Sequence, residues 1–337
     1  MSAEVLPGPV RLCLIGSSCF QSAIIDALVA GGIEVVCLAN QSLGGNDDPI
    51  ERCYRTNGLF SANEDLARRI GATFLYTPDV NSDEAIAAIK STGANIVLSC
   101  SAPVLRKNFI GAFDGWVLNY HGSRRYRGRA GASWSILGGH SEDSVVLHWI
   151  DSGIDTGQWI SSASYGWGEE SYPLDIAKAQ VPAFEFLSRQ LAEWLQVGRF
   201  PSLESESDRP YLPSLVTHVD GLVDWRWSAG QLERAVRAFG WPYAGLSGVL
   251  EKSDRRTRVP VRLARVEVLS TSGVLEHPLA VGAVVSRKSD RWADVQCGSG
   301  VVRVHSVRAD LEERPAASVV TLGARFIVDV HSGQGYQ

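Results

Sequence analysis

Residues Val10 to Ala39 read VRLCLIGSSCFQSAIIDALVAGGIEVVCLA, and the order of patterns in this stretch decides the fold. Val10 to Ile15 is an apolar run of strand length that Gly16-Ser17-Ser18 interrupts. Phe20 to Ala30 then spaces its apolar side chains as a helix does, and Glu34 to Ala39 is a second strand. Strand, tight turn, helix, strand is a βαβ unit. It predicts parallel pairing, with ligands collected near the carboxyl ends of the strands.

The alternation continues outward. Asn63 to Ile70 has helical spacing and stops at Gly71, Thr73 to Tyr76 is a short strand, and Asp83 to Ser91 is a helix capped by Asn81 or Ser82. Ala94 to Ser99 and Trp116 to Asn119 read as strands, Gly131 to Leu137 as a helix, and Ser144 to Ile150 as a strand rich in β-branched residues. Leu174 to Val197 is a long amphipathic helix that closes a first domain. Pro201 to Pro213, with three prolines among Ser, Glu and Asp, reads as a linker. The boundary is set at 206, giving domains 1–206 and 207–337. The second has one helix, Ala229 to Phe239, and then short β-like runs (259–269, 281–286, 293–297, 301–307 and 326–330). The expected fold is α/β, a Rossmann-like, mostly parallel sheet, followed by a smaller, mainly β, barrel-like domain.

The totals narrow the function. With 45% hydrophobic and 20% charged residues, and no apolar run of membrane length, the 337-residue chain reads as a globular protein with no membrane partner. Its first residues lack the pattern of a cleaved signal, so the cytoplasm is the expected compartment. Cys13, Cys19, Cys37, Cys53, Cys100 and Cys297 form no metal-spaced pairs and read as free thiols. A net charge of −5 argues against a polyanion as the main partner, although a local basic patch can override it. Gly16-Ser17-Ser18-Cys19-Phe20-Gln21 lacks the later glycines of a dinucleotide fingerprint, which sets aside a nicotinamide enzyme.

The chemistry concentrates in Val117 to Ile160, VLNYHGSRRYRGRAGASWSILGGHSEDSVVLHWIDSGIDTGQWI. Asn119 and His121 lie two apart on a strand, so they point to one side. Asp155 follows another strand, in a turn whose glycines permit an irregular path, where a carboxylate can meet the imidazole. A base, an oxyanion donor and an orienting carboxylate are what acyl transfer to an amine needs. His121 alone reads more readily as a core or surface histidine; the company of Asn119 and the aspartate turn makes it a catalytic candidate. His140, His148, His218, His277, His305 and His331 have no such company, and only His148, on the strand before the turn, stands near it.

Three motifs in this order, Asn119-Tyr120-His121, Arg125-Tyr126-Arg127-Gly128 and Asp151 through Gly157, resemble the signature of the 10-formyltetrahydrofolate-dependent formyltransferases. That family includes methionyl-tRNA formyltransferases, sugar N-formyltransferases and formylating domains of peptide synthetases. Leu12 to Ala30 also resembles its first βα unit, and Val223-Asp224-Trp225 with Ala229 to Phe239 the start of its second domain. The resemblance implies that Asn119 holds the formyl oxygen, that His121 assists amine deprotonation or stabilises the oxyanion, and that Asp155 orients His121 and relays protons. It implies a pterin between Ser101-Ala102-Pro103-Val104-Leu105 and Ser152-Gly153-Ile154, and an acceptor beside Ser123, Arg124, Arg125, Tyr126 and Arg127. It further implies 10-formyltetrahydrofolate as the co-substrate and no requirement for a metal.

One departure bears on the acceptor. The family pattern has Ser-Leu-Leu-Pro before its Arg-Tyr-Arg-Gly, whereas here Ser123 and Arg124 lead straight into Arg125, about two residues shorter. A deletion confined to this loop keeps the triad in register and remodels the acceptor side. Arg124, Arg125, Arg127 and Arg129 either grip a phosphate or form a solvated loop. A small-molecule amine is therefore expected, first a nucleotide-linked amino sugar. Methionyl-tRNA, hydroxyornithine and a carrier-bound amino acid stand as alternatives, as does a folate-binding protein without turnover. A homodimer remains open. Trp225, Trp227 and Trp241 with Pro242 and Tyr243 read as core packing rather than a base-stacking platform.

Overall fold

The computed structural model describes residues 8–41, 56, 58, 61–206, 208–269, 277–288, 290–309 and 312–327. Cys53, His331 and the end of the predicted strand 326–330 lie outside them. The chain divides into two compact units. One holds Met1–Gly131, Glu142–Trp167 and Asp175–Pro213; the other holds Ala132–Ser141, Gly168–Leu174 and Ser214–Gln337. The segment that reads as a linker thus lies wholly in the first unit, and the second takes in two short stretches from earlier in the chain.

In the first unit the strands are β1 (Arg11–Ile15), β2 (Glu34–Gln41), β3 (Thr73–Thr77), β4 (Ile96–Cys100), β5 (Val117–His121), the two-residue β6 (Arg127–Gly128), β7 (Glu142–Trp149), β8 (Trp159–Gly166) and the two-residue β9 (Tyr211–Leu212). The helices, in chain order, are α1 (Gln21–Ala30), α2 (Asn63–Ile70), α3 (Asp83–Ser91), α4 (Lys107–Ala112), α5 (Gly131–Leu137), which passes into the second unit after its first residue, and α6 (Pro173–Val197). The main sheet runs β3-β2-β1-β4-β5-β7-β8; the first five strands are parallel, and β7 and β8 are antiparallel.

Every residue of β4, and all of β1 but the first, is buried, as expected for parallel strands covered on both faces. Cys13, Ile15, Cys37, Val97, Phe109 and Val117 belong to one apolar cluster. The turn after β1 requires glycine: Gly16 has φ +109°, and a Cβ there would lie 2.1 Å from Cys100 O. Of the two candidate caps for α3, Ser82 is the one used, accepting from Ala85 N at 3.2 Å. Asn81 instead accepts from Arg106 N at 2.6 Å and donates to Val104 O at 3.1 Å, bracing the loop after β4. The five described cysteines are free thiols; burial pushes Cys19 up to about 12 and Cys100 up to about 11.

The second unit is built on an antiparallel sheet of β10 (Leu246–Glu251), β11 (Arg258–Leu269), β12 (Val284–Arg287), β13 (Ala293–Gln296), β14 (Val301–Ala309), β15 (Glu312–Pro315) and β16 (Arg325–Ile327). Its order is β12-β13-β14-β11-β10-β16, with β15 paired to β14. An Ala283–Arg325 bridge joins the first strand to the last and closes the sheet on itself, so a barrel protects what would be free edges. Helix α7 (Ala229–Ala238) starts on a capping box, Ser228 and Gln231 each accepting the other's backbone N–H. Trp225 is a core residue, 1% exposed, its ring centroid 4.6 Å from that of Phe326 at a tilt of 34°, whereas Trp241 is exposed. Among the described residues no helix is long and apolar enough to cross a membrane, and no group of His, Cys, Asp and Glu could hold a metal ion.

Candidate active site

The site is built on one face of β5 and β7. Asn119 and His121 share that face through the two-residue alternation of a strand, and the antiparallel register sets His148 directly opposite Asn119. The 151–157 turn folds back over the same face. Asp151 Oδ1 shapes it, accepting from Gly153 N at 2.9 Å and from Thr156 Oγ1 at 2.6 Å. Gly157 lets it close: a Cβ there would sit 1.7 Å from Trp149 O. Asp155, at φ +52°, is delivered into the site. Its Oδ2 accepts from Gly128 N at 2.9 Å and lies 3.5 Å from His121 Nδ1; its Oδ1 lies 3.4 Å from Asn119 Nδ2 and 3.7 Å from His148 Nε2.

Carbonyl partners dictate where the protons sit. His121 Nε2 is 2.6 Å from Tyr126 O, and a carbonyl only accepts, so Nε2 carries a hydrogen and Nδ1 is the nitrogen that titrates. His148 Nδ1 is 2.8 Å from Trp149 O and so carries a hydrogen, which leaves Nε2 as the partner of Asn119 Nδ2 at 3.1 Å. That bond orients the Asn119 amide. The second Nδ2 hydrogen has only the long 3.4 Å contact to Asp155, so it can be redirected at small cost.

Burial lowers the His121 imidazole below its ordinary value, although the Asp155 charge works against the shift. Burial would raise Asp155, but the His148 ring, the His121 charge and the Gly128 N–H outweigh it and hold the carboxyl well below the usual carboxylate range. An ionised carboxylate beside a neutral imidazole is therefore the state of the pair at neutral pH.

The loop after β5 is braced from within the unit. Ser123, 1% exposed, donates to Asp143 Oδ2 at 2.6 Å and accepts from Tyr126 N at 3.2 Å; Arg124 N donates to Asp143 Oδ1 at 2.9 Å. Tyr126 reaches His121 through its carbonyl rather than its phenol. Arg124 pairs with Glu206, and Arg127 Nε donates to Arg209 O at 2.9 Å. Arg125 and Arg129 are exposed, and neither forms an ion pair among the described residues. In the loop after β4, Ser101 adopts φ +54°, Leu105 turns into the core, and Val104 is 63% exposed. In the aspartate turn Ser152, Gly153 and Ile154 are all exposed.

Four contributors were not read from the sequence: His148, Asp143, Arg209 and the Gly128 N–H. Gly128 stood within the Arg125–Gly128 motif without a role, and His148 carried a signal in its place on the strand preceding the aspartate turn. Its alignment with Asn119 depends on strand register, which one sequence does not reveal.

Two family models match the chain: Formyl transferase over residues 11–165, and Formyl transferase, C-terminal domain, over residues 215–322. The methionyl-tRNA formyltransferase of Geobacter metallireducens is 26% identical over 80% of this chain and 83% of its own length. That of Citrifermentans bemidjiense is 26% identical over 94% of each. Among solved structures, an N-formyltransferase from Helicobacter canadensis, in complex with folinic acid and dTDP-3-aminofucose, superposes with a TM-score of 0.62 at 14% identity. The match covers 88% of this chain and 99% of that one, and at this identity it is a likeness of fold.

Proposed function

We propose a co-substrate, an acceptor and a division of labour for this chain, which belongs to the formyl transferase family in both its N-terminal and its C-terminal domain. It is an N-formyltransferase that uses 10-formyltetrahydrofolate, and its acceptor is a small primary amine, an amino sugar carried on a nucleotide. The observation that carries the reaction is the convergence of Asn119, His121 and Asp155 on one sheet face. The acceptor rests on Arg125 and Arg129, two exposed guanidinium groups in the loop that follows His121, with no carboxylate partner among the described residues and suited to a pyrophosphate.

The donor supplies a formyl carbon already bonded to a nitrogen that can leave. As the acceptor amine adds, that carbon becomes tetrahedral and its oxygen gains charge. Asn119 Nδ2 turns its weakly held hydrogen from Asp155 to this oxygen, while the bond to His148 keeps the amide aimed; a preorganised donor of this kind contributes roughly 3 kcal/mol. His121 Nδ1, neutral before the reaction, takes the amine proton, and Asp155 stabilises the imidazolium so formed. The new C–N bond is kept, the old one breaks, and the proton passes to the departing nitrogen, leaving a formamide and tetrahydrofolate. The pterin is held between residues 101–105 and 152–154. Val104 and Ile154, one on each loop, are 63% and 42% exposed, apolar surface that a flat ring would cover.

A methionyl-tRNA acceptor is the second reading. It is favoured by the end-to-end likeness to methionyl-tRNA formyltransferases and by the charge of residues 214–337, which hold 16 Lys and Arg against 13 Asp and Glu, where residues 1–213 hold 16 against 24. Incubating the protein with 10-formyltetrahydrofolate and a pool of nucleotide amino sugars, hydroxyornithine, amino acids, carrier-bound amino acids and methionyl-tRNA, followed by mass spectrometry, separates the readings. Formylation of a nucleotide amino sugar is expected. Formylation of methionyl-tRNA alone, weakening with salt, would establish the second reading; folate binding unaffected by His121→Ala, with no formylated product, would leave a binding protein.

A further inference from the structure

The segment after α6 has a linker's composition but is bound into the first unit. Leu203 N donates to Trp159 O at 2.9 Å, Ser205 Oγ accepts from Trp159 N at 3.1 Å, and Gln158 Nε2 reaches Leu203 O. Glu206 pairs with Arg124. Pro210 O accepts from Arg127 N at 3.0 Å, and β9 pairs with β6 in parallel. This strap touches both polypeptide segments that shape the catalytic face, the loop after β5 and the start of β8.

Arg209 is its central residue. It is 6% exposed, its guanidinium lies 4.8 Å from the ring of Trp159, itself 1% exposed, and among the described residues its side-chain hydrogen bonds go to backbone carbonyls rather than to a carboxylate. Its donors reach four backbone carbonyls: Nε to Glu206 O at 3.3 Å, Nη1 to Ser123 O at 3.3 Å and Arg124 O at 3.2 Å, and Nη2 to Asp155 O at 2.7 Å. One planar fork thus ties the strap, the shortened acceptor loop and the residue carrying the catalytic carboxylate. The shortest of the four bonds goes to Asp155, whose backbone is in the left-handed region, uncommon for a non-glycine residue although aspartate enters it more readily than most. A lysine, with three donors around one point, cannot reach carbonyls on three segments at once.

We propose that Arg209 is a positioning residue for formyl transfer, fixing the Asp155 backbone and the Ser123–Arg124 loop so that the carboxylate meets His121 and Gly128 N. This rests on the catalytic reading above and adds a residue to it. The groups facing the guanidinium are Asp155, Arg127, Glu206 and Asp143, and its charge also bears on His121. Two variants separate geometry from charge. Arg209→Lys keeps the cation and loses the fork; Arg209→Met loses both.

For Arg209→Lys we expect the plateau kcat to fall at least about tenfold, KM for donor and acceptor to change less than about threefold, and the acid limb of the pH profile to stay in place. For Arg209→Met the plateau falls as far, and the limb moves to higher pH because a cation near His121 is gone. Exchange of the Gly128 amide, whose hydrogen bond depends on where Asp155 sits, is measured in parallel and needs no turnover. It accelerates in both variants if the proposal holds. Wild-type kcat in Arg209→Lys, a loss confined to KM, or unchanged exchange at Gly128 would overturn it. Absence of formyl transfer by the wild type, with faster exchange in the variants, would overturn the catalytic reading and leave the clamp standing.

Discussion

Gly157→Ala tests whether the aspartate turn owes its position to a single missing methyl group. A Cβ at 157 would stand 1.7 Å from Trp149 O and 2.8 Å from its carbonyl carbon. Carbon and oxygen approach to about 3.3 Å, so one of them must move by roughly 1.6 Å. The obstacle is backbone held in a ladder: Trp149 N donates to Gln158 O at 3.0 Å, and Ile150 N to Val117 O at 2.8 Å. The turn yields instead, and Asp155 lies two residues away from the clash. Its 2.9 Å bond to Gly128 N and 3.5 Å approach to His121 cannot survive a shift of that size. Misplacing a catalytic group by about 1 Å costs on the order of 100-fold, and we expect at least that loss in kcat. Overpacking adds about 1–3 kcal/mol of destabilisation, so the melting temperature should fall by several degrees while unfolding stays cooperative. Initial rates of tetrahydrofolate formation and a thermal melt make the comparison. A folded variant within about threefold of the wild-type rate would refute the argument that this turn positions the carboxylate.

Asn119→Ala should lower kcat about 100-fold or more while folate affinity, followed by fluorescence titration, changes little; near-normal turnover would remove the amide from the transition state. Because burial lowers His121, its acid limb in kcat/KM should lie below the ordinary histidine value of about 6.5, with activity lost as the pH falls and the imidazole takes a proton beforehand. Asp155→Asn removes the charge that favours imidazolium, so the limb should move to still lower pH on a reduced plateau; a shift upward would contradict the assignment. Ser123→Ala removes one hydrogen bond from the buried Asp143 carboxylate and one from Tyr126 N, which should cost about 1–3 kcal/mol in chemical denaturation and raise KM for the acceptor.

The fold was readable where local chemistry and burial agree. The βαβ opening shows because Gly16 is compelled by the approach of Cys100 O, and because the central strands, covered on both faces, have no polar alternation to confuse them. Strand β8 escaped reading for the opposite reason. It is the last strand of its sheet, and Ser161, Ser162 and Ser164 occupy positions that an inner strand would fill with apolar residues. Helix α4 is six residues long, too short to establish a period, and only Phe109 is buried. The division into units was unreadable in a different sense. Ala132–Ser141 and Gly168–Leu174 belong to the second unit although they precede the boundary in sequence, and a reading that cuts a chain once cannot recover that.

Within the site the same contrast separates Asn119 and His121 from Arg209. The first two declare themselves because strand alternation turns a spacing of two into a shared direction. Arg209 stands in a run of Pro, Ser, Asp and Glu, and such composition is the same whether a segment floats in solvent or lies across a surface giving its hydrogen bonds to other segments. Yet the sequence held an indirect sign of it. The loop after Ser123 reads about two residues shorter than the pattern it resembles, and a shorter loop has fewer internal amides to offer its own carbonyls. Buried carbonyls must find donors somewhere. Those of Ser123 and Arg124 find them on Arg209, so the loop between β5 and β6 draws donors from a segment 80-odd residues later in the chain. Lengthening the loop without removing Arg209 would crowd the strap, and removing Arg209 without lengthening the loop would strand two carbonyls; the two changes should therefore compensate better together than either does alone.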